Sequence, residues 1–341
     1  MDDIKISSIL SEKAMVARLS TGGWSGRVTD KIATDELTET KGAKKGSTSV
    51  TKAIIDKKYF KAIREATSTM KKFHKENTMP WDNNGGRILP SSKFAAYNLE
   101  LRECKRALYE ATVAFIAGYP GYIIEAEETL GDLFNEADYP HVSEIEGRFI
   151  LDTHFEKVPE SGDFRVDIPE HEQTRIREQI ENRVEGQHAQ AMKRIWVRIF
   201  KAVEYMNQRL SEEDGVFRNS LVGNIQQLVD VLPSLNILED PALADMTREL
   251  KERFCEYTPE DLRRNQVLRQ EAVESTQVLM DKMTQMDDIF GTNSDQIIVD
   301  DQTTSLSAPE DNPITADSVE VRDTDEAVVT HNRYYSGTES N

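Results

Sequence analysis

Cysteine is scarce in this sequence, which contains only Cys104 and Cys255. Each lies within a helical pattern, and neither has a second cysteine or a histidine at metal-ligand spacing. This excludes a disulfide framework and argues against a cysteine-based zinc site. We expect both thiols to behave as small buried hydrophobic groups in a reducing compartment.

Long apolar runs are missing as well. No segment approaches the roughly 18 consecutive apolar residues that a membrane span needs. The first residues, Met1-Asp-Asp-Ile-Lys5, carry no apolar core of a signal peptide. The sequence therefore predicts a cytoplasmic protein with no membrane association.

Catalytic and cofactor motifs are represented only by near-misses. The segment Gly42-Ala-Lys-Lys-Gly46-Ser-Thr fails the phosphate-loop pattern, because its glycines are too close and Ser47 stands where a lysine is required. His171-Glu172 would need a histidine at position 175 to form a zinc-protease motif, and that residue is Arg175. We expect no catalytic residue, no cofactor and no metal, and hence a protein that is not an enzyme.

Negative charge dominates what is present, with 61 acidic residues against 42 lysines and arginines. Residues 292–341 hold eleven of the acids and two arginines, which is about half of the net charge of −19. This last segment has no hydrophobic periodicity and is expected to be a disordered acidic tail. A globally acidic protein is not steered to nucleic acid by its net field, so such binding would need a local basic stripe.

Apolar residues recur every three or four positions through most of the chain, which predicts a mainly α fold. The longest stripe runs from Ile176 to Leu210, and a second, from Phe94 to Phe115, has the spacing of a heptad seam for antiparallel pairing with the helix before it. We predict an elongated helical bundle or coiled-coil-like body with a small inserted β-hairpin. The predicted regions are 1–50 (β-like segment and basic loop), 51–148 (helical hairpin), 149–168 (β-hairpin), 169–291 (long-helix bundle) and 292–341 (tail).

Local signals refine these boundaries. Residues 15–29 predict a strand pair around Gly22-Gly23, followed by a helix over 30–40. Gly118 and Pro120 predict a helix break, with a separate helix over 121–136. Ser143 to Glu146 reads as a capping box, and a last helix is expected over 259–290.

One stretch of the long helix is basic and aromatic. Between Glu185 and Glu204 the charged side chains are all positive, and aromatic residues alternate with them. Such a band is typical of a surface that tracks a nucleic-acid backbone, while aromatic rings beside an apolar stripe usually pack into a core. The candidate contact residues, for nucleic acid or a partner helix, are Lys193, Arg194, Trp196, Arg198 and Lys201.

Two glycine-rich turns place a tryptophan near an arginine. Trp24 precedes Arg27, and Trp81 precedes Arg87. These are candidate binding loops, with the alternative that the rings close the ends of the helical pair. A further candidate is the acidic helical face of Glu125, Glu128, Asp132 and Glu136, which could hold a divalent cation but is more simply a solvated surface.

Four separated blocks of the sequence are distinctive: Trp24-Ser-Gly-Arg27, Thr78-Met-Pro-Trp-Asp-Asn-Asn-Gly-Gly-Arg-Ile-Leu-Pro90, Gly131-Asp-Leu-Phe-Asn-Glu-Ala-Asp-Tyr-Pro140 and Val158-Pro-Glu-Ser-Gly-Asp-Phe-Arg-Val166. Together, in this order, they resemble an uncharacterised tailed-bacteriophage protein family. Members of that family are often encoded near ATPases of the MoxR/CobS class. The resemblance covers roughly residues 15–255 and implies a phage protein made in the bacterial cytoplasm, with a phage-encoded AAA+ ATPase as a candidate partner. It supplies no site residues.

Three hypotheses follow from the sequence. The first is a non-enzymatic phage assembly or adaptor protein that forms homo-oligomers through its helices. The second is a single-stranded nucleic-acid-binding protein of phage replication or recombination. The third, and least favoured, is a metal-dependent enzyme built on the acidic face.

Overall fold

The computed structural model describes residues 5–212 and 220–285, so the predicted acidic tail lies outside the described residues. Within them the protein is mainly helical with a small antiparallel sheet. The helices are α1 Ile6–Lys13, α2 Lys31–Thr40, α3 Lys61–Asn77, α4 Phe94–Leu130, α5 Val142–Glu146, α6 Glu170–Ser211, α7 Ser220–Leu235, α8 Pro241–Phe254, α9 Pro259–Arg264 and α10 Gln266–Thr284. The strands are β1 Ala14–Gly22, β2 Arg27–Asp30, β3 Val50–Ala53, β4 Met79–Pro80, β5 Arg87–Pro90 and β6 Ile150–Lys157. None of these helices is long and apolar enough to cross a membrane.

Strand β1 is a central strand of the larger sheet, whose order is β4-β5-β1-β6. It pairs antiparallel with β5, where Met15 faces Leu89, and with β6, where Arg18 faces His154. Its side chains are covered on both faces, because Val16 belongs to one hydrophobic cluster and Ala17 to another. Strand β1 therefore has a neighbouring strand on each edge and a hydrophobic cluster on each face.

Both predicted hairpins are wrong in their pairing. Residues 15–29 do contain β1 and the start of β2, but β2 pairs with β3 in a separate two-stranded sheet. Residues 149–168 supply only β6, and the stretch 164–168 is not a strand. Alternating side chains predict a strand without naming its partner, and here the partner of β6 is more than 120 residues earlier in the chain.

Helices α3 and α4 pack antiparallel, as the seam on α4 predicts. At one end Tyr59, just before α3, stacks on Tyr122, with ring centroids 3.6 Å apart. At the other end His74 is hydrogen-bonded to Tyr97. Between these ends the inner face of α4 is buried in a cluster with α3, at Leu101, Cys104, Leu108, Phe115 and Tyr119.

The predicted break at Gly118 and Pro120 is wrong, because α4 continues to Leu130. Proline removes one backbone donor and disfavours a helix interior, yet tertiary packing can outweigh that cost. Here Phe115 and Tyr119, just before Pro120, are 2% and 3% exposed. Helix α7 passes through Pro233 in the same way.

Two other local predictions are corrected. The short helix α5 is capped by His141, whose Nδ1 accepts from the backbone N–H of Ser143, so Ser143 is inside the helix and is not its cap. The last predicted helix divides at Asn265, which ends α9 and caps α10 by accepting from the N–H groups of Val267 and Leu268.

Helix α6 packs with α7, α8 and α10 in the hydrophobic cluster that contains Val16 of β1. Its buried residues follow the predicted stripe and include Val184, Ile195, Ile199 and Val203. Outside this stripe, Glu181 of α6 accepts from the backbone N–H of Ser7 at 3.0 Å and from its hydroxyl at 2.5 Å. This carboxylate accepts a hydrogen bond from a backbone N–H in the first turn of α1. Its negative charge also interacts favourably with the positive end of the helix dipole.

Candidate functional site

The C-terminal end of α3 is closed by its own last side chains and by side chains from two other parts of the chain. The last carbonyls of a helix lack partners within the helix and must find them elsewhere. Each of four successive carbonyls here accepts from a side chain: Phe73 from Asn77 Nδ2 (3.0 Å), His74 from Thr78 Oγ1, Lys75 from Arg87 Nη2 (3.1 Å) and Glu76 from Arg198 Nη1 (3.1 Å). Two arginines from distant segments therefore meet at adjacent carbonyls.

Arg87, the first residue of β5, is the most enclosed of these cations. Its Nε donates to the hydroxyl of Thr78 at 2.6 Å and its Nη2 to the carbonyl of Thr78 at 2.7 Å. Burial, and then the charges of Arg198 and Arg194, lower the pKa of Arg87 to about 10. Within residues 5–212 and 220–285 no carboxylate lies at ion-pair distance from it, so neutral oxygens replace a counter-ion.

Arg198 approaches the same point from α6. Burial lowers its pKa, and the charge of Glu76 opposes that effect. The Glu76 carboxylate is held by Gln227 Nε2 at 2.7 Å and lies 3.8 Å from Lys72 Nζ. Glu76 is thus the carboxylate that acts on Arg198, and its oxygens already interact with Gln227 and Lys72.

The predicted basic band on α6 divides into two kinds of side chain. Lys193, Arg194 and Lys201 are exposed, while Trp196 is 2% exposed and packs in the cluster of α6, α7, α8 and α10. Trp196 therefore cannot stack on a ligand without rearrangement of the core. Arg194, Arg198 and Lys201 follow the spacing i, i+4, i+7, which places them on one side of α6.

The tryptophan and arginine of the two predicted binding loops lie in different surroundings. Trp81 is 6% exposed and joins the hydrophobic core, while Arg87 from the same loop turns inward to α3. Trp24 packs edge-on against Phe60 and Tyr119, with centroids 5.9 and 6.0 Å away. Arg27 remains exposed. The structure thus brings Arg87 together with Arg194 and Arg198, and it leaves Trp24 and Arg27 elsewhere.

A buried hydrogen-bonded row lies beside Arg87. His74 Nδ1 is 2.7 Å from the Tyr97 hydroxyl, which is 3.2 Å from the hydroxyl of Thr153. Burial and the charge of Arg87 lower the pKa of His74 to about 3. Burial raises the pKa of Tyr97 to about 12. Both groups are therefore neutral around pH 7 and serve to satisfy one another in the core.

A second surface, which the sequence prediction missed, lies on the outer side of α4. Residues 111–124 contain no charged side chain, although 30% of the chain is charged. The large apolar residues on this side are exposed, with Tyr109 at 68%, Val113 at 48% and Ile124 at 62%. The sequence signal is the uncharged run, but with a break predicted at Gly118 and Pro120 its exposed residues are not expected to line up along one continuous helix.

The acidic face proposed as a cation site is engaged in part by protein groups. Glu125 pairs with Lys58 at 2.5 Å and accepts from the hydroxyl of Tyr59. In the part of the chain that the structure describes, no group of three or more acidic, histidine or cysteine side chains is placed to hold a metal ion. Burial raises the pKa of the Cys104 thiol to about 11, which keeps it in the unreactive protonated form.

The arrangement offers hydrogen-bond donors and exposed apolar surface. Its two notable features are the arginine cluster of Arg87, Arg194 and Arg198, and the outer face of α4. Comparison with family models, curated proteins and solved structures gave no match.

Proposed function

We propose that this protein is a non-enzymatic assembly or adaptor protein that self-associates through the outer face of α4. The observation that carries the proposal is an exposed seam on α4 with spacings of three or four residues. It consists of Arg102, Arg106, Tyr109, Val113, Ala117, Pro120, Ile124 and Glu127, all of them exposed. That spacing is the one by which two helices pack along their length.

The centre of this seam suits contact with another protein surface. From Tyr109 to Ile124 its side chains are uncharged, and Ala117 and the neighbouring Gly121 are small. Small residues let two helix axes approach closely. Contiguous apolar surface of this kind is unusual on a monomeric protein and typically marks an interaction site.

The ends of the seam favour a second copy of this chain as the partner. Arg102 and Arg106 precede the uncharged centre, and Glu127 follows it. In an antiparallel two-fold pair, Arg106 of each copy faces Glu127 of the other, Tyr109 faces Ile124, and Val113 faces Pro120. A parallel pair would instead oppose like charges at both ends. In the single chain Arg106 pairs along its own helix with Glu103 at 2.5 Å and Glu110 at 3.3 Å. In the dimer, the pair between Arg106 and Glu127 of the other copy would replace these intrahelical pairs.

Mass photometry and light scattering at micromolar concentration test the proposal. The wild type is expected to be a dimer and Val113→Arg a monomer with an unchanged circular dichroism spectrum. The matched control is Val278→Arg on α10, because Val278 is 51% exposed and Val113 is 48% exposed. A monomeric wild type, or equal loss of dimer in both variants, would contradict self-association through α4.

A charge exchange tests the antiparallel register. Arg106→Glu and Glu127→Arg should each weaken the dimer, because each places like charges opposite one another. The double variant should restore association towards that of the wild type. Failure of this rescue, with both single variants weakened, would contradict the register while leaving the α4 face as the interface.

The setting of this role comes from the family resemblance. It makes the protein a phage-encoded component of the bacterial cytoplasm, with a MoxR-type AAA+ ATPase as partner. Purified ATPase and purified protein should then co-migrate in size-exclusion chromatography. Two separate peaks at micromolar concentration, with and without nucleotide, would remove the ATPase from the proposal.

Single-stranded nucleic-acid binding is the second candidate function. It is supported by Lys193, Arg194 and Lys201, which are exposed on α6 and make no ion pair with any described residue. Binding to an oligonucleotide should then weaken steeply as salt is raised, because cations on the phosphate backbone are released. An absence of binding at low salt would exclude it.

A further inference from the structure

Arg87, Arg194 and Arg198 hold more positive charge than their surroundings neutralise. The C-terminal end of α3 supplies the equivalent of roughly half a negative charge to the two arginines that close it. The carboxylate of Glu76 is shared with Gln227 and Lys72. Arg194 adds a third guanidinium that makes no ion pair within the described part of the chain. The capping of α3 therefore explains where two of the arginines point, but it does not balance the charge of all three.

Several donors in the cluster are unused by the fold. The Nη1 group of Arg87 makes no hydrogen bond to a described residue, and the same holds for Nε and Nη2 of Arg198. In the described part of the chain, the fully buried side-chain atoms that lack a hydrogen-bond partner do not include these three nitrogens. Each of them therefore has some surface accessible to solvent. Arg194 lies one helical turn before Arg198 on the same side of α6.

The positions of the unused donors are fixed before any ligand binds. Arg87 is held by three hydrogen bonds to Lys75 and Thr78, and Arg198 by its bond to Glu76. A guanidinium presents its donors in a planar fork that matches the oxygens of a phosphate. The free Nη1 of Arg87, the free Nε and Nη2 of Arg198 and the third guanidinium of Arg194 make a set of donors that is partly positioned in advance, which reduces the entropy cost of binding.

We propose that Arg87, Arg194 and Arg198 form a binding site for a phosphate group. Arg87 and Arg198 donate to its oxygens from beneath, and Arg194 closes the site from the solvent side. The phosphate comes either from a small phosphate compound or from the backbone of a single-stranded nucleic acid. The site does not depend on self-association, since it involves α3, β5 and α6 and not the outer face of α4.

Calorimetry with inorganic phosphate at low ionic strength tests the site, with sodium chloride of equal ionic strength as the reference. The informative variant is Arg194→Gln, because Arg194 does not cap α3 and its loss should leave the fold intact. We expect phosphate affinity to fall about tenfold or more, since a hydrogen bond between charged groups is lost. The matched control is Arg183→Gln, which removes an equal charge from an exposed position three helical turns earlier on α6 and should change affinity less than twofold.

A labelled oligothymidylate distinguishes the two sources of the phosphate. If Arg194→Gln weakens its binding and inorganic phosphate competes with it, the group recognised belongs to a nucleic-acid backbone. If inorganic phosphate binds and the oligonucleotide does not, the ligand is a small phosphate compound. Failure of the wild type to bind either one would overturn the site, as would equal losses in Arg183→Gln and Arg194→Gln. Neither outcome bears on whether the protein dimerises.

Discussion

The ring of His74 is hydrogen-bonded through Nδ1 to the hydroxyl of Tyr97, 23 residues away, in a site that is 6% exposed at His74. The imidazole is neutral in the folded protein, because burial and the nearby Arg87 charge hold its pKa at about 3. In the unfolded chain its pKa returns to about 6.5. Folding therefore excludes a proton at this residue whenever the pH lies between these two values.

This proton exclusion predicts an acid-sensitive stability. The contribution of His74 is fully present above about pH 6.5 and is lost as the pH falls towards 3. Between pH 7 and pH 5 the unfolding free energy should decrease by about 2 kcal/mol through this residue. Urea denaturation of the wild type and His74→Gln at both pH values measures the difference.

The His74→Gln comparison has a suitable control in His154→Gln. The side chain of His154 is 73% exposed on β6, so that variant should keep the pH dependence of the wild type. His188, whose pKa is also lowered by burial, contributes equally in all three proteins. An unchanged slope in His74→Gln would show that His74 is not responsible.

Asp82 is predicted to hold the turn between β4 and β5. Its carboxylate accepts from the backbone N–H groups of Asn84 and Gly86, each at 2.8 Å, and from Arg18 at 2.6 Å. The hydrogen bond from Arg18 is the main reason that the pKa of Asp82 is lowered. Asp82→Ala should cost about 2 kcal/mol, because two backbone donors and a half-buried cation lose their acceptor.

The same carboxylate gives a second pH dependence with the same sign. Because the folded pKa of Asp82 lies below 3.8, its contribution is present above that value and is lost as the pH falls further. Thermal unfolding of the wild type and Asp82→Ala should therefore converge at low pH. The exposed Asp132→Ala serves as the control, and a constant difference at every pH would contradict the assignment.

Gly26 is predicted to be intolerant of any side chain. Its φ of +63° lies in the left-handed region, and an added Cβ would lie 2.8 Å from the ring of Phe60. Gly26→Ala should destabilise the protein by about 3 kcal/mol, from backbone strain and overpacking together. Gly147→Ala is the matched control, because Gly147 has a φ of −74° and open space around its Cα. Similar denaturation midpoints for the two variants would contradict this account.

Lys52 is predicted to join three segments. Its ammonium lies 2.8 Å from Asp30, 2.9 Å from Asp138 and 2.6 Å from the carbonyl of Leu133. Lys52→Met would leave two carboxylates facing each other without a cation, so the melting temperature should fall. Lys61→Met, which breaks an exposed pair with Glu65 on α3, should change it little. Equal melting temperatures in the two variants would refute the role of Lys52.

The sequence predicts the helices of this protein better than its contacts. The stripe along α6 is visible because each apolar position follows from the helical period alone. The alternation of side chains also predicts strands at β1 and β6. Their pairing across more than 120 residues cannot be predicted in this way, because it depends on the arrangement of the other elements. The continuity of α4 through Pro120 is hidden for a related reason, because the burial of Phe115 and Tyr119 that accompanies it depends on contacts with other elements.

The candidate site was predictable only in pieces. Arg194 and Arg198 could be identified as part of a basic band, and Arg87 as part of a turn. Arg87 and Arg198 are 111 positions apart in the sequence, and no local pattern indicates that they meet at successive carbonyls of α3. The meeting point is fixed by the pairing of β5 with β1 and by the packing of α6, both of which are long-range.

The topology of the larger sheet also sets an order in time. Strand β1 is synthesised before either of its neighbours, and its last partner, β6, ends at Lys157. At about 5–20 residues per second, translation leaves an interval on the order of ten seconds between the two strands. During that interval residues 18–22 of β1, which pair with β6 and not with β5, lack their partner in the sheet, although β1 is the first strand of this sheet to be made. Pulse-labelled amide exchange on stalled nascent chains would record this delay directly.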